Sequence, residues 1–500
     1  MTTSDTQHFD LLIRGGTVID GSKAPRFDAD VGIRGDRIAA IGDLASATAA
    51  TEIDARGRIV APGFIDSHTH DDQAVLSQAD MSFKVSQGVT TVVSGNCGIS
   101  IAPLRGDCPL PSPLDLLDAA ASARFGSFAA YFAQLERTPS SVNVAAMVGH
   151  STLRVMTMSS LDRVASESEI AAMQALVAEA LAAGAIGLST GTFYPPAVKA
   201  STEEIIEVAR PLTGSGGVYV THMRDEADKV MDALDETFRI GRELDVPVVV
   251  SHHKVQNVPN FGKSAVTLPH IRAAMGRQCV SLDCYPYNAG STMIRTDRGM
   301  LEGRVLIASS VPHPECAGRD LKDIAAEWGL SNDDAARRLQ PGSAIYFLMD
   351  ENDVQRILAF DETMIGSDGI PIGDRPHPRL WATFPRVLGH YSRDLGLFPL
   401  ETAVWKMTGL TARNFGLTGR GTLAVGQHAD VVVFDAATIR DTATYEAPTV
   451  PADGIDAVVV NGTVTWQHGA HSGARSGQVI RRDAGVNRSA APRLGEGASA

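Results

Sequence analysis

Ala61-Pro62-Gly63-Phe64-Ile65-Asp66-Ser67-His68-Thr69-His70 carries an apolar run, begun at Ile59, directly into a His-Xaa-His pair. In an extended strand residues two apart project from one face, so both imidazoles can address a single ion. Two histidines at a strand end can equally serve as hydrogen-bonding partners. What favours the metal reading is the company further along: Cys97, His222, His252 and Asp368 each stand where a later apolar segment ends. Strand ends that converge on one rim are the geometry of a parallel barrel.

Working outward, apolar segments at 59–66, 89–94, 143–149, 185–190, 217–222, 246–251, 279–285 and 363–367 read as strands, with helical patterns such as Ser168 to Ala183 and Ala227 to Leu244 between several of them. This alternation predicts an α/β fold, a (β/α)8 TIM-type barrel over 61–414. About 80 residues separate the seventh strand from the eighth, too many for a simple crossover, and 286–341 is expected to form an inserted subdomain at the barrel mouth. Short strand patterns punctuated by Gly-Gly and Gly-Asp precede the barrel, and similar ones follow it, including a hairpin around Asn461-Gly462. The two ends, 1–60 and 415–480, are expected to complete one small β-sandwich. The segment 481–500, rich in Gly, Ala, Ser and Arg from Ala484 onward, reads as a flexible tail.

A chain of 500 residues with 44% hydrophobic and 20% charged residues has the composition of a soluble enzyme. Its net charge of −14, without a Lys/Arg cluster, argues against a nucleic-acid partner. No apolar run approaches the ~20 residues of a membrane span, and Met1 to Asp10 lacks the pattern of a secretory signal, so a cytoplasmic location is expected. Five cysteines without repeating spacing fit reduced thiols.

Cys97 sits in Ser94-Gly95-Asn96-Cys97-Gly98, where glycines let the backbone approach an ion. A lone buried cysteine is usually a small hydrophobe, and a lone strand-end histidine usually a hydrogen-bonded core residue. Together, Cys97, His222 in Thr221-His222 and His252 in Ser251-His252-His253-Lys254 provide the sulfur and nitrogen ligands that zinc prefers, with a fourth position open. Period two puts His252 on the face of Lys254 and His253 in the wall. Asp368, in Gly366-Ser367-Asp368-Gly369, reads either as a turn cap or as a general base beside activated water.

With these motifs in hand, the chain resembles the N-acyl-D-amino-acid deacylases (D-aminoacylases) of the metal-dependent amidohydrolase superfamily over roughly residues 8–470. The cysteine, in place of the bridging carboxylated lysine or glutamate of many amidohydrolases, marks this branch. The resemblance implies a Zn2+ ion held tightly by Cys97, His222 and His252, a second, weaker position lined by His68 and His70, and Asp368 as catalytic base. It further implies a small-molecule N-acyl-D-amino acid as substrate, with Lys254, Tyr194, Tyr285 and Ser291 at its carboxylate and Arg295 as a looser match. His150, ending its own strand, is expected to line the pocket. Arg379, in the stretch Gly373 to Arg379, could meet an acidic substrate side chain, although a neutral or hydrophobic D side chain is favoured. Two other readings are a hydantoinase-like cyclic amidase, which would be expected to use a lysine where Gly187-Leu188-Ser189-Thr190-Gly191 offers none, and a catalytically silent barrel serving as a binding module.

Overall fold

The computed structural model describes residues 7–108, 110–117, 124–373 and 375–483. Residues 1–6 of the polar start, Asp374 and the segment 484–500 read as a tail lie outside the described residues. Parallel strands form the centre: β1 (Phe64–Asp66), β2 (Val89–Ser94), β3 (Asn143–Ala146 continued by Val148–Gly149), β4 (Gly187–Gly191), β5 (Val218–His222), β6 (Val248–Val250), β7 (Val280–Cys284) and β8 (Thr363–Ile365). Each pairs with its sequence neighbour, from β1 through β3 and from β3 through β8. The barrel closes where Ser67 N donates to Ile365 O (3.3 Å), Asp368 N to His68 O (2.8 Å) and His70 N to Gly369 O (3.2 Å). The seam is thus built from residues of the strand-end motifs at 66–70 and 365–369.

Strand composition explains the filling. Ile65, Val93, Ala145, Ile186, Val218, Val220, Val249 and Met364 point inward and pack with Leu410, Phe415 and Leu417, which plug the lower end. Burying each of the larger of these side chains, Ala145 excepted, contributes ~1.5–3 kcal/mol. The helices pack outside. One runs from Glu167 to Ala183, begins at Ser166 in a reciprocal capping box with Glu169 and ends at Gly184 with φ 110°.

The expected strand 59–66 is two strands. Ile59–Pro62 pairs antiparallel with Val431–Phe434, whereas Phe64–Asp66 begins the barrel. The break falls at Gly63, where a Cβ would lie 2.2 Å from the Thr90 side chain. The sandwich sheet therefore runs through Pro62 rather than stopping at 60. It joins strands from both chain ends in one hydrogen-bonded sheet, including Thr48–Asp54, which the sequence reading passed over. Asn461 and Gly462, with φ 47° and 78°, make the expected hairpin turn.

The insert after β7 is a three-stranded antiparallel sheet, Gly290–Met293, Arg304–Ser310 and Gly342–Phe347, backed by helices Leu321–Trp328 and Asn332–Leu339. Gly342–Phe347 is its middle strand, so the insert extends beyond Pro341. Its core is continuous with Cys97, Phe193 and Tyr194. At the other end, Arg481 and Arg482 are pinned rather than loose: Arg482 N donates to Gly184 O at 2.9 Å, and Arg481 pairs with Glu136 at 2.6 Å.

Candidate active site

At the ends of β1, β2, β5, β6 and β8 the chain turns sharply inward. Cys97, His252 and Asp368 all take positive φ, 54°, 33° and 49°, a region that L-residues other than glycine enter at a cost of ~1–3 kcal/mol. The reward is convergence. Cys97 Sγ lies 3.3 Å from His68 Nε2, 3.6 Å from His222 Nδ1 and 3.4 Å from His252 Nε2. Asp368 Oδ1 is 3.5 Å from His68 Nε2 and 3.2 Å from His70 Nε2. The loop carrying Cys97 fits only because Gly95 has no side chain; a Cβ there would meet Met147 O at 2.0 Å.

The electrostatics follow from burial and proximity. Burial opposes ionisation of Cys97, yet His68 and His252 overcome it and hold the thiol well below its ordinary value. Burial likewise opposes the Asp368 carboxylate, and Arg379, at 2.9 Å, with His252, His70 and His68 keeps it well below the usual carboxylate range. His70 is disfavoured as a cation by burial and pushed up to about 9 by Asp368 and Cys97. His222 lies well below its ordinary value, chiefly through burial. A thiolate, neutral and ionisable imidazoles and a carboxylate, enclosed within a few ångströms, are a donor set for a thiophilic divalent ion, and His68, Cys97, His252 and Asp368 hold mutually close ligand atoms.

Other expected residues distribute unevenly. Lys254, Tyr194, Tyr285 and Ser291 line a cavity of about 30 Å³ together with His222, His252 and Asp368. His253 turns into the wall and bonds Thr267 at 2.8 Å. Arg379 is fully buried beside that cavity, its guanidinium 4.6 Å from the Tyr285 ring and donating to Ser291 O at 3.1 Å. Two residues are not brought to the centre. His150 begins a helix in a separate buried cluster, 3.4 Å from Glu204, which also pairs with Arg154. Arg295 lies beyond Phe193 in an outer groove of about 350 Å³, tied to Asp297 at 2.7 Å and to Phe193 O at 3.1 Å. Phe193 stacks on His222 at 5.0 Å and separates that arginine from the cavity.

The model of the amidohydrolase family matches residues 51–276 and 322–466. The D-aminoacylase of Alcaligenes xylosoxydans xylosoxydans is 64% identical over 97% of this chain and 100% of its own length. The chain belongs to the D-aminoacylase branch of the amidohydrolases. A solved D-aminoacylase, described with a binuclear metal centre activated by one metal and attenuated by a second, superposes with a TM-score of 0.93 at 62% identity, covering 95% of this chain and 100% of that one. An N-acyl-D-glutamate deacylase from Bordetella bronchiseptica, solved with zinc and a phosphonate inhibitor, gives 0.91 at 45% identity, with 95% and 100% covered.

Around the cluster of this amidohydrolase lie further buried charges that strand-end position does not mark. Asp283, inside β7, accepts from His252 N at 2.7 Å and lies 3.3 Å from His68 Nδ1. Asp66 accepts from Ser367 N at 2.7 Å and pairs with the buried Lys84 at 2.7 Å, fixing the β1–β8 seam next to Asp368. Asp66 stood in the opening motif, whereas Lys84, in an apolar helix, carried only the anomaly of a charge among Phe83 and Val85.

Proposed function

We propose that the chain hydrolyses the amide bond of N-acyl-D-amino acids, releasing a carboxylate and a free D-amino acid, with a zinc ion held by Cys97, His222 and His252. The observation that supports this most directly is the Cys97 thiol within 3.6 Å of three imidazole nitrogens, with the Asp368 carboxylate alongside. Zinc bound there would polarise the acyl carbonyl and make water nucleophilic near neutral pH. Asp368, kept ionised by Arg379, takes the proton from water and returns it to the nitrogen of the departing amine. His68 and His70 line a second, weaker metal position beside it.

Lys254, Tyr194, Tyr285 and Ser291 supply cationic and polar groups for the substrate α-carboxylate, while Arg379 is engaged with Asp368 and Ser291 O. Met300, Leu348 and Met349 make the same cavity apolar at its far side, which favours a neutral or hydrophobic D side chain. A neighbouring space of about 20 Å³, sharing Tyr194, Ser291, Thr292 and Asp368, is walled by Ile99, Leu116, Leu117 and Ile370 and suits the acyl group. Release of free amine from N-acetyl-D-methionine and its L enantiomer by the zinc-loaded enzyme tests the reading. D-selective release is expected, and Cys97→Ala should lose both zinc and turnover. Equal rates on the two enantiomers, or full zinc content in the cysteine variant, would overturn it.

A further inference from the structure

Glu226 follows β5 and is buried on the far side of the two imidazoles assigned to zinc. Each ring turns one nitrogen toward Cys97 and the other toward this carboxylate. His222 has Nδ1 3.6 Å from Cys97 Sγ and Nε2 3.5 Å from Glu226 Oε2. His252 has Nε2 3.4 Å from Sγ and Nδ1 3.1 Å from Glu226 Oε1. The remaining capacity of the carboxylate is taken by Lys254 Nζ at 2.8 Å on Oε1 and by Gln256 Nε2 at 3.0 Å on Oε2.

We propose that Glu226 is a positioning residue shared by both metal-binding histidines. A carboxylate that accepts the proton of the outward nitrogen selects the tautomer whose free lone pair faces Cys97, and it fixes the plane of the ring. Here one side chain faces both rings: Oε1 reaches His252 Nδ1 at 3.1 Å, while Oε2 lies 3.5 Å from His222 Nε2, an ionic contact rather than a hydrogen bond. The same Oε1 anchors the Lys254 ammonium, which also donates to His252 O at 2.9 Å. His222, Glu226 and His252 also hold mutually close ligand atoms, as a cation site of their own would. Lys254 excludes that use: its ammonium already occupies Oε1, and at 2.7 Å from His252 Nδ1 it competes with Glu226 for that nitrogen, so Glu226 receives the Nδ1 proton when a metal takes Nε2. Glu226 thus couples the orientation of the metal ligands to the cation that faces the substrate.

This inference rests on the zinc reading above, and the test separates the two. Wild type, Glu226→Gln and Glu226→Leu are stripped of metal, their melting is recorded, and zinc affinity is measured by competition with a chromophoric chelator. Cobalt(II) is then added to look for thiolate-to-metal charge transfer. The leucine variant should bind zinc roughly 10–100-fold more weakly and its apo form should melt lower, because Lys254 loses its carboxylate partner, and the glutamine variant, which keeps one acceptor oxygen, should fall in between on both readouts. Wild-type protein without the charge-transfer band would defeat the Cys97 metal site itself. A wild-type band with unchanged zinc affinity in the variants would defeat only the role of Glu226. Should the leucine variant fail to fold, wild-type affinity in Glu226→Gln alone overturns it.

Discussion

Asp368 combines two properties that mutation can separate: a carboxylate held ionised against burial by Arg379, and a backbone in the left-handed region at φ 49°. Asp368→Ala removes the proton acceptor and keeps the strain, whereas Asp368→Gly removes both. Both variants should retain zinc on Cys97, His222 and His252 and lose ~100-fold or more of turnover, and the glycine variant should melt above the alanine one. Metal analysis, steady-state rates and calorimetry on the pair check this. At this scale most of the centre was legible, because a polar residue closing an apolar strand marks the rim of a parallel barrel. His150 and Arg295 show the limit of that signal: nothing local says on which side of a wall, Phe193 in one case, a chain end will emerge. Glu226 and Asp283 escaped because their partners are other functional residues, a relation that only the folded arrangement creates.

Between elements, buried charge does the joining. Glu204, in the helix Thr202–Ala209, receives Arg154 and the Ala165 backbone N–H, the latter at 2.8 Å, and ties that helix to the one after β3. Burial raises its pKa, but His150 and Arg154 outweigh this and bring it from 4.5 to about 2. A depressed carboxylate pKa stabilises the fold fully above the unfolded value, and that contribution fades as pH falls toward the folded one. Wild type should therefore melt above Glu204→Gln at about pH 5, with the difference narrowing by about pH 3; thermal scans at both values read it. Element identity was largely present in the sequence, as the helices at 167–183 and 230–244 and most barrel strands attest. Boundaries were less so. The apolar run 59–66 looked continuous because both sheets demand the same residues, and only the contact of Gly63 with Thr90 makes the chain change sheets.

For the molecule as a whole, the last described residues are fastened to the barrel. Val144 N donates to Gln478 O at 2.9 Å, Ile480 N to Val144 O at 2.8 Å and Gly477 N to Ser140 O at 2.9 Å, beside β3. Truncation after Gly473 should lower the melting temperature by several degrees relative to truncation after Asp483, because it strips the backbone partners of β3. Differential scanning calorimetry of the two shortened chains checks it. This clasp was not legible in Gly477-Gln478-Val479-Ile480, too short a run to mark a strand and one whose pairing depends on where β3 happens to lie. The sheet shared by the two chain ends has a consequence during synthesis. Ile59–Pro62 leaves the ribosome long before Val431–Phe434, its hydrogen-bonding partner. At ~5–20 residues per second the wait is on the order of tens of seconds. Throughout it an apolar strand edge stands open in the nascent chain, a natural target for chaperone binding and, at high expression, for aggregation.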